Sequence, residues 1–557
     1  MLHQLRLSAV LVVALLSYFA PAIRAADSDS TVIDRINVLI RAGWENNDVK
    51  PSDLTEDGEF ARRVALDVVG HIPEYTELMT YLDDKSPDKR RKYVEQLLDQ
   101  EGYMRNWTSI WSSLLIGRAN NRANNTRAAL DKWLRNCFYK NLPYDQMVKE
   151  LLTASGGSDE NGAVVFLASH LNDGKVPATA ITSRLFLGRQ VQCTQCHNHP
   201  FNDWQQSQFW GMNAFFRGTN RQGRGREEIT LSDDMSSGVV TFEKRNGEIR
   251  ATLPTYFDGT MVPEFEKSPR QTLADFVVDP KKPYLAEAIV NRMWGHFLGY
   301  GFTKPVDDMG PHNQASHPEL LAYLTQEFQE SRYDLKRLIR WIAGSEAYQL
   351  SSRTHDGNKT DEPAAGETPL FSHAYSKQFR AEQLYDSLLI ATAADKANRS
   401  SEQAEGQRRQ WLQQFVTTFG TDENDEQTSF NGTIPQALLL MNGQLVNNAI
   451  SGGNGSFLRR VLDASGGRPD ETTTPAPKPK NPAAAKVAAA KGGSPQMKNM
   501  PKKIETLFLV ALSRKPSAEE LNSINEVFQK NGYTDPIVGL QDVFWAILNS
   551  NEFIINH

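Results

Sequence analysis

Apolar side chains recur at helical spacing along most of this chain, and helix-capping residues frame several of the repeats. One segment has Asp334 as its cap, and its apolar stripe consists of Leu335, Leu338, Ile339 and Ile342. Ser517 and Glu520 form a capping-box pattern before another helical segment. The segment from Phe60 to Val69 has the same spacing, and Gly70 marks its end. These patterns predict a mainly α, multi-helical fold.

One stretch departs from the helical pattern. Residues 228–256 contain short runs rich in β-forming side chains, with Asn246-Gly247 between the last two runs. An Asn-Gly pair between two such runs is the strongest short-range signal of a β-hairpin. We therefore expect a small β insertion near residues 228–256 within the otherwise helical fold.

The first 25 residues have the pattern of a signal peptide. A basic start at Arg6 precedes an apolar run from Leu7 to Ala20, and small residues lie around Ala22 and Ala25. That run is too short for a membrane span, and no later run approaches the ~20 apolar residues that a spanning helix needs. We therefore expect a periplasmic or secreted protein whose mature chain has no transmembrane span.

Composition and charge narrow the classes of function. Of the 557 residues, 39% are hydrophobic and 23% are charged, which is typical of a folded globular protein and not of a disordered one. Lys and Arg number 61 against 67 Asp and Glu, so the net charge at pH 7 is −6. A chain without a basic excess has no general attraction for polyanions, and we expect no nucleic-acid partner.

A short motif near the middle of the chain carries the sharpest chemical signal. Cys193 and Cys196 are three residues apart and His197 follows the second cysteine, which is the spacing of covalent c-type haem attachment. The one other cysteine is Cys137, so disulfides cannot be the main source of stability. The motif predicts haem c and a role in redox chemistry or electron transfer with an unknown redox partner. The sixth iron position either stays open or is filled by one of four candidates: Met212, His296, Met309 and His312.

Two alternatives to haem remain open at this motif. His199 and Asp203 add two possible ligands, so a non-haem zinc or iron centre is one alternative. Such a centre would suit a metal-dependent enzyme, for example a hydrolase whose substrate is an extracellular polymer. The other alternative is a local disulfide between Cys193 and Cys196 in a binding or scaffold protein. The aromatic residues that follow the motif either line a pocket for the macrocycle or belong to the core.

A second polar group of residues lies about a hundred positions further on. Asp307 and Asp308 are adjacent, and His317 follows them, so these residues are candidates for metal ligands or for an acid and a base. A structural interpretation is favoured over this one. In it the two acids cap turns, and Ser316 with Glu319 forms a capping box for the helix that begins at His317.

Longer runs of sequence resemble two modules of one known protein family. LFLGRQVQCTQCHNHPFNDWQQSQFWGMNAFF (185–216), EFARRVALDVVGHIP (59–73) and SPDKRRKYVEQLL (86–98) resemble the planctomycete cytochrome-type module PSCyt-two. NRMWGHFLGYGFTKPVDDMGPHNQASHPELL (291–321) is similar to the partner module PSD-one, as are LSRKPSAEEL (512–521) and ILNSNEFIINH (547–557). The resemblance implies an extracytoplasmic protein of a family whose activity is uncharacterised.

These patterns together predict the domain organisation. Residues 466–503 are rich in Pro, Ala, Thr and Lys and have few large apolar side chains, which is typical of a low-complexity linker. The predicted segments are a signal peptide (1–25), a PSCyt-two-like helical module with the motif (30–220), a β-rich insertion (221–265), a PSD-one-like helical module (266–465), the linker (466–503) and the C-terminal helical part of the PSD-one-like module (504–557).

Overall fold

The structure is a computed structural model of the 557-residue chain. It describes residues 27–117, 124–200, 202–223, 228–234, 238–392, 446–447, 450–453, 456–464, 499–533 and 535–557. The predicted signal peptide (1–25) and most of the predicted linker (466–498) lie outside the described residues.

Helices dominate the N-terminal part of the described chain. They are α1 Asp29–Asn46, α2 Asp57–Val68, α3 Tyr75–Asp83, α4 Lys89–Leu98, α5 Glu101–Ile116, α6 Asn124–Tyr139, α7 Tyr144–Thr153, α8 Val164–Ala168, α9 Val176–Leu187 and α10 Gln206–Ala214. Two 3-10 turns, Asp173–Lys175 and Gln192–Gln195, flank α9. Helix α9 ends at Gly188, whose φ of 62° is a left-handed conformation that glycine adopts without strain.

The second half of the chain is helical as well. Its described helices are α11 Pro269–Val277, α12 Tyr284–Leu298, α13 Pro318–Glu330, α14 Leu335–Gly344, α15 Ala381–Thr392, α16 Phe457–Asp463, α17 Met500–Leu512, α18 Ala518–Asn531, α19 Pro536–Leu548 and α20 Asn551–Ile554, with 3-10 turns at Ala347–Gln349 and Pro363–Ala365. Asp334 caps α14 by accepting a hydrogen bond from the Arg337 backbone N–H at 3.0 Å. Ser517 and Glu520 form the predicted capping box of α18.

The strands are short and antiparallel. They are β1 Gly156–Gly157, β2 Thr219–Gln222, β3 Thr230–Asp233, β4 Val240–Glu243, β5 Ile249–Thr252, β6 Lys377–Gln378 and β7 Ile555–Asn556. The first three form one sheet in the order β1-β3-β2, and β4 pairs with β5, as β6 pairs with β7. Gly247 lies in the β4–β5 turn with a φ of 82°. The mainly α fold and the β insertion near residues 228–256 are therefore confirmed.

Two apolar cores share two helices. The larger core packs α1 to α11 against α12, α13 and α14, and the smaller core packs α15, α16, α17, α19 and α20 together. Helix α2 contributes Phe60 to the larger core and Leu66 to the smaller one, and α17 contributes Leu509 to the larger core and Leu507 to the smaller one. Among the described helices, none has the combination of length and apolar character needed to cross a bilayer.

Two fully buried arginines on α2 bind backbone carbonyls from the second half of the chain. The Arg62 guanidinium donates to the backbone carbonyls of Ala511 at 2.6 Å and Phe553 at 2.7 Å. The Arg63 guanidinium donates to the Tyr348 carbonyl at 2.6 Å. These carbonyls belong to the last turns of helices, where they have no partner within the helix, and the arginines satisfy them in the interior, where an unpaired carbonyl is costly.

Asp67 on the same helix is the centre of a buried polar cluster. Its carboxylate accepts hydrogen bonds from the Lys377 ammonium at 2.7 and 2.8 Å, the Tyr348 hydroxyl at 2.8 Å and the Asn556 amide at 2.9 Å. Burial raises the pKa of Asp67, and Lys377 and Tyr348 oppose that shift. Residues more than 280 positions apart in sequence thus depend on one carboxylate.

Candidate functional site

The two cysteines of the Cys-x-x-Cys-His motif lie at an exposed turn. Cys193 belongs to the 3-10 helix Gln192–Gln195, and Cys196 is the residue that caps it, so one helical turn separates the two side chains. Cys193 and Cys196 are both exposed and unbonded, whereas Thr194 is buried between them. The Thr194 hydroxyl donates to the Val191 carbonyl at 2.6 Å and holds the turn in place.

Cys137 differs from the two motif cysteines. It is buried on α6, and burial raises the pKa of its thiol to about 12. Its thiol therefore stays protonated and packs as a small apolar group. The solvent-accessible thiols of this chain are those of Cys193 and Cys196.

The hydrogen bond of His197 determines which of its ring nitrogens is available. Nδ1 lies 2.7 Å from the Asn198 carbonyl oxygen, and a carbonyl only accepts, so Nδ1 carries the proton. In the neutral ring, Nε2 is then left with its lone pair. This is the arrangement found at metal-binding histidines, whose other ring nitrogen donates to a carbonyl or carboxylate.

His199 and Asp203 follow in the loop that leads to α10. The His199 backbone N–H donates to the Trp204 carbonyl at 2.8 Å and closes the loop. Asp203 is exposed, and its backbone carbonyl accepts from the Gln205 side chain at 3.0 Å. The ring of His199 turns towards the second polar group of residues, 6.4 Å between ring centroids from His312.

A loop that follows α12 carries the two aspartates to the motif. Asn291 is fully buried and binds this loop, because its amide donates to Thr303 at 2.8 Å and to the Val306 carbonyl at 2.9 Å, and its Oδ1 accepts from the Phe302 N–H at 2.6 Å. Further along, the Met309 N–H donates to the carbonyl of Gly188, at the end of α9. The loop therefore packs on the segment that enters the Cys-x-x-Cys-His turn.

The two aspartates have different surroundings. Asp307 accepts a hydrogen bond from Gln190 at 2.8 Å and forms ion pairs with Arg184 at 3.8 Å and Arg292 at 3.5 Å. These two ion pairs connect the loop to α9, which carries Arg184, and to α12, which carries Arg292. Asp308 lies 3.1 Å from Nε2 of His312, the histidine whose ring faces His199.

His317 lies apart from these residues. It is buried beside Phe302 and Phe371, and burial lowers its pKa to about 4. Its Nδ1 contacts the Ser316 hydroxyl, and its Nε2 is buried without a hydrogen-bond partner. The capping box predicted for Ser316 and Glu319 is wrong: α13 begins at Pro318, and no side chain caps it, because the Ser316 hydroxyl contacts His317 instead.

The structure therefore groups the candidate ligands in part. His199, Asp308 and His312 share one surface with the motif, while Asp307 is bound by arginines and His317 is buried elsewhere. Within the described ranges, no three His, Cys, Asp or Glu side chains form a group that could hold a metal ion.

The candidates for a sixth iron ligand are also separated. Met212 is fully buried in the larger core, and Met309 packs against Gly188. His296 is buried, its Nε2 bonds to the Asp67 carbonyl at 3.0 Å, and burial lowers its pKa to about 3. His312 is the candidate that shares the motif's surface.

Some aromatic residues after the motif belong to the larger core, and one contacts the motif turn. Phe209, Phe215 and Phe216 are fully buried in the larger core. Trp210 stacks on Phe242 of β4 at 6.0 Å and donates its indole N–H to the Gln195 carbonyl at 3.1 Å. The β insertion and α10 therefore support the turn from below.

Sequence reasoning missed two residues that hold the loop carrying Asp307 against the motif segment. Gln190 and Asn291 are neutral amides without a distinctive spacing, and their role depends on carbonyls and carboxylates up to 117 positions away. One sequence signal could have pointed to them: Gln190 lies just before the Cys-x-x-Cys-His motif, and Asn291 begins the run that resembles PSD-one.

Two family models match consecutive parts of the chain. Residues 35–221 match the family PSCyt2, and residues 269–528 match the family PSD1, and each is described as a protein of unknown function (DUF1549 and DUF1553). Neither the curated proteins nor the solved structures contain a match to this chain.

Proposed function

Because the chain belongs to the PSCyt2 and PSD1 families, in that order and both without a known activity, we propose a function from the site itself. The proposal is an extracytoplasmic redox protein with one haem c bound at Cys193, Cys196 and His197. When bound, the haem supplies one-electron chemistry at its iron, in exchange with a redox partner or an extracellular substrate.

The observation that carries the proposal is the geometry of the two thiols. Covalent attachment adds each S–H across one vinyl group of the porphyrin, so both sulfurs must face the same way and be reachable from outside. Cys193 and Cys196 are exposed and one 3-10 turn apart, with Thr194 anchoring the opposite face. The residues present therefore fit two thioether bonds.

The histidine of the motif supports the same assignment. With Nδ1 of His197 donating to the Asn198 carbonyl, Nε2 is the atom available to the iron. The bond also fixes the orientation of the ring. His197 is therefore the residue that we assign as axial ligand.

The test is expression in a host with a haem-attachment system, followed by a pyridine haemochrome spectrum and mass spectrometry of the motif peptide. We expect a c-type spectrum and a peptide heavier by one haem. Cys193→Ala together with Cys196→Ala should remove the covalent haem, and His197→Ala should change the iron's spectrum. His199→Ala is the matched control, because it removes a neighbouring imidazole that the haem proposal does not use. Unmodified Cys193 and Cys196 in the wild-type protein would refute the proposal.

A second candidate is a non-haem metal enzyme, for example a hydrolase. The observation that favours it is the approach of His199 to His312, with Asp308 3.1 Å from Nε2 of His312. Under this alternative, His199→Ala and His312→Ala each lower the bound zinc or iron measured by elemental analysis, while His197→Ala has no effect. The two candidates thus predict opposite results for His197 and His199.

A further inference from the structure

A cavity of about 1360 Å³ lies beneath helix α18, remote in sequence from the Cys-x-x-Cys-His turn. Its walls come from α17, α18, α19 and the start of α2. Phe508 and Leu512 of α17 and Val543 and Ile547 of α19 form an apolar floor. Among the described residues, apolar side chains line this space without filling it.

Helix α18 buries its apolar stripe only in part. Leu521, Ile524 and Phe528 pack partly buried against the smaller core, and no residue of α18 is fully buried. Val527 belongs to the same stripe, is 45% exposed and lines the cavity beside Ile524. Amphipathic surface helices normally pack such a stripe against the core. Ala546, in the middle of α19, is likewise exposed and faces the same space.

Contacts at both ends fix the position of α18 relative to α17 and α19. At its N-terminus, the Arg514 guanidinium donates to both carboxylate oxygens of Glu520 at 2.8 Å and to Glu552 at 2.5 and 2.6 Å. At its C-terminus, the Phe528 ring packs on Gly539, where a methyl group would lie 2.5 Å from the ring. The position of α18 beside the cavity is therefore fixed at both ends of the helix.

The size of the cavity points to a helix as its occupant. Ten residues of α-helix, ~15 Å long and ~10 Å wide, fill roughly 1200 Å³. Pockets for small ligands usually measure about 300–1000 Å³. Three helices around a void of helical size also form an incomplete four-helix bundle, which a fourth apolar face would complete.

The acidic excess of the cavity lining favours a partner helix with basic side chains. Six acidic and three basic side chains line the cavity. Arg514 is neutralised by Glu520 and Glu552, and Lys515 by Glu505. Among the described salt bridges, three acidic lining residues (Glu56, Glu519 and Asp542) and one basic one (Arg353) have no ion pair, so the acidic excess persists. A partner helix with lysines or arginines beside its apolar stripe therefore meets a complementary surface.

We propose that the groove beneath α18 binds a basic amphipathic helix of about three turns from a partner protein. The probe is a fluorescein-labelled Leu/Lys peptide of about 14 residues with leucines at helical spacing, titrated into the full chain and followed by fluorescence polarisation. We expect saturable binding of this peptide. A Leu/Glu peptide with the same leucine spacing, and a Leu/Lys peptide with scrambled spacing, should bind at least about tenfold more weakly.

Two variants place the binding in the groove. Ala546→Trp fills the cavity from an exposed position, and Val527→Lys adds a like charge to its roof; each should weaken binding at least about tenfold. Asn525→Trp is the matched control, because Asn525 is exposed on α18 and does not line the cavity. Circular dichroism checks that each variant keeps the fold.

Three outcomes overturn the proposal. The first is equal binding of the Leu/Lys and Leu/Glu peptides, and the second is binding to Ala546→Trp and Val527→Lys within about twofold of wild type. The third is self-association of the wild-type chain in sedimentation that Ala546→Trp abolishes, which would make a second copy the occupant.

Discussion

Replacing Lys377 with methionine tests whether the polar cluster on α2 determines the stability of the chain. The Lys377 ammonium donates to both oxygens of Asp67 and to the carbonyls of His296 and Phe297, all between 2.7 and 2.9 Å. Methionine keeps the length of the side chain and removes the charge. The Asp67 carboxylate, 2% exposed, then loses its closest cation.

The expected cost follows from the burial of the pair. Removing one partner of a buried ion pair leaves an uncompensated charge and destabilises a protein by about 3–5 kcal/mol. Adding Asp67→Asn removes that charge, so the double variant should be more stable than Lys377→Met alone by about 2 kcal/mol. Lys149→Met is the matched control, because Lys149 forms an exposed ion pair with Asp275 and should cost less than about 1 kcal/mol.

The defect of Lys377→Met should also depend on pH. Burial already raises the folded-state pKa of Asp67 above its usual 3.8, and loss of Lys377 raises it further. A raised pKa favours the protonated carboxyl in the folded state, so its stabilising contribution is present below about pH 4 and is lost as pH rises through the folded pKa. The variant should therefore be closest to wild type in acid and weakest near neutrality.

The assay is the free energy of unfolding by urea, followed by tryptophan fluorescence from pH 4 to 8. The reasoning is refuted if Lys377→Met costs no more than Lys149→Met. It is equally refuted if Asp67→Asn gives no recovery in the double variant, or if the defect is independent of pH.

Three further predictions concern other parts of the chain. Gly58→Ala should destabilise the protein by about 1–3 kcal/mol in urea unfolding, because its methyl group would lie 2.1 Å from the Ser513 carbonyl oxygen. Asn291→Ala should cost about 2–4 kcal/mol and make the loop that carries Asp307 the first site of limited proteolysis; unchanged cleavage would contradict this role. His317→Gln should flatten the loss of stability between pH 6.5 and 4, which we expect to reach about 3 kcal/mol in wild type, because burial lowers the His317 pKa to about 4 and protonation on acidification favours the unfolded chain. An unchanged pH profile of the His317→Gln variant would contradict that assignment.

Features that depend on neighbouring residues could be predicted from the sequence. The cap at Asp334 and the capping box at Ser517 rest on contacts three positions apart, and both form as expected. The turn at Gly247 rests on the freedom of glycine to adopt a positive φ. The predicted box at Ser316 fails because a competing contact with His317 holds the serine hydroxyl.

The candidate site divides in the same way. The spacing of Cys193, Cys196 and His197 is local, and a single helical turn separates the two thiols. The approach of Asp308 and His312 to the motif could not be predicted, because it depends on the docking of a loop about 110 positions away through Gly188 and Asn291.

The sequence by itself determined the helices, the hairpin and the spacing of the Cys-x-x-Cys-His turn, since periodicity, caps and turn residues act within one or two helical turns. The tertiary structure alone decided that Arg62, Arg63 and Asp67 are buried and that α18 borders a cavity between the described helices. A charged residue on a helix is ordinarily read as solvent-exposed. Its burial becomes favourable only when distant carbonyls and cations arrive to satisfy it, and that depends on the packing of the whole chain.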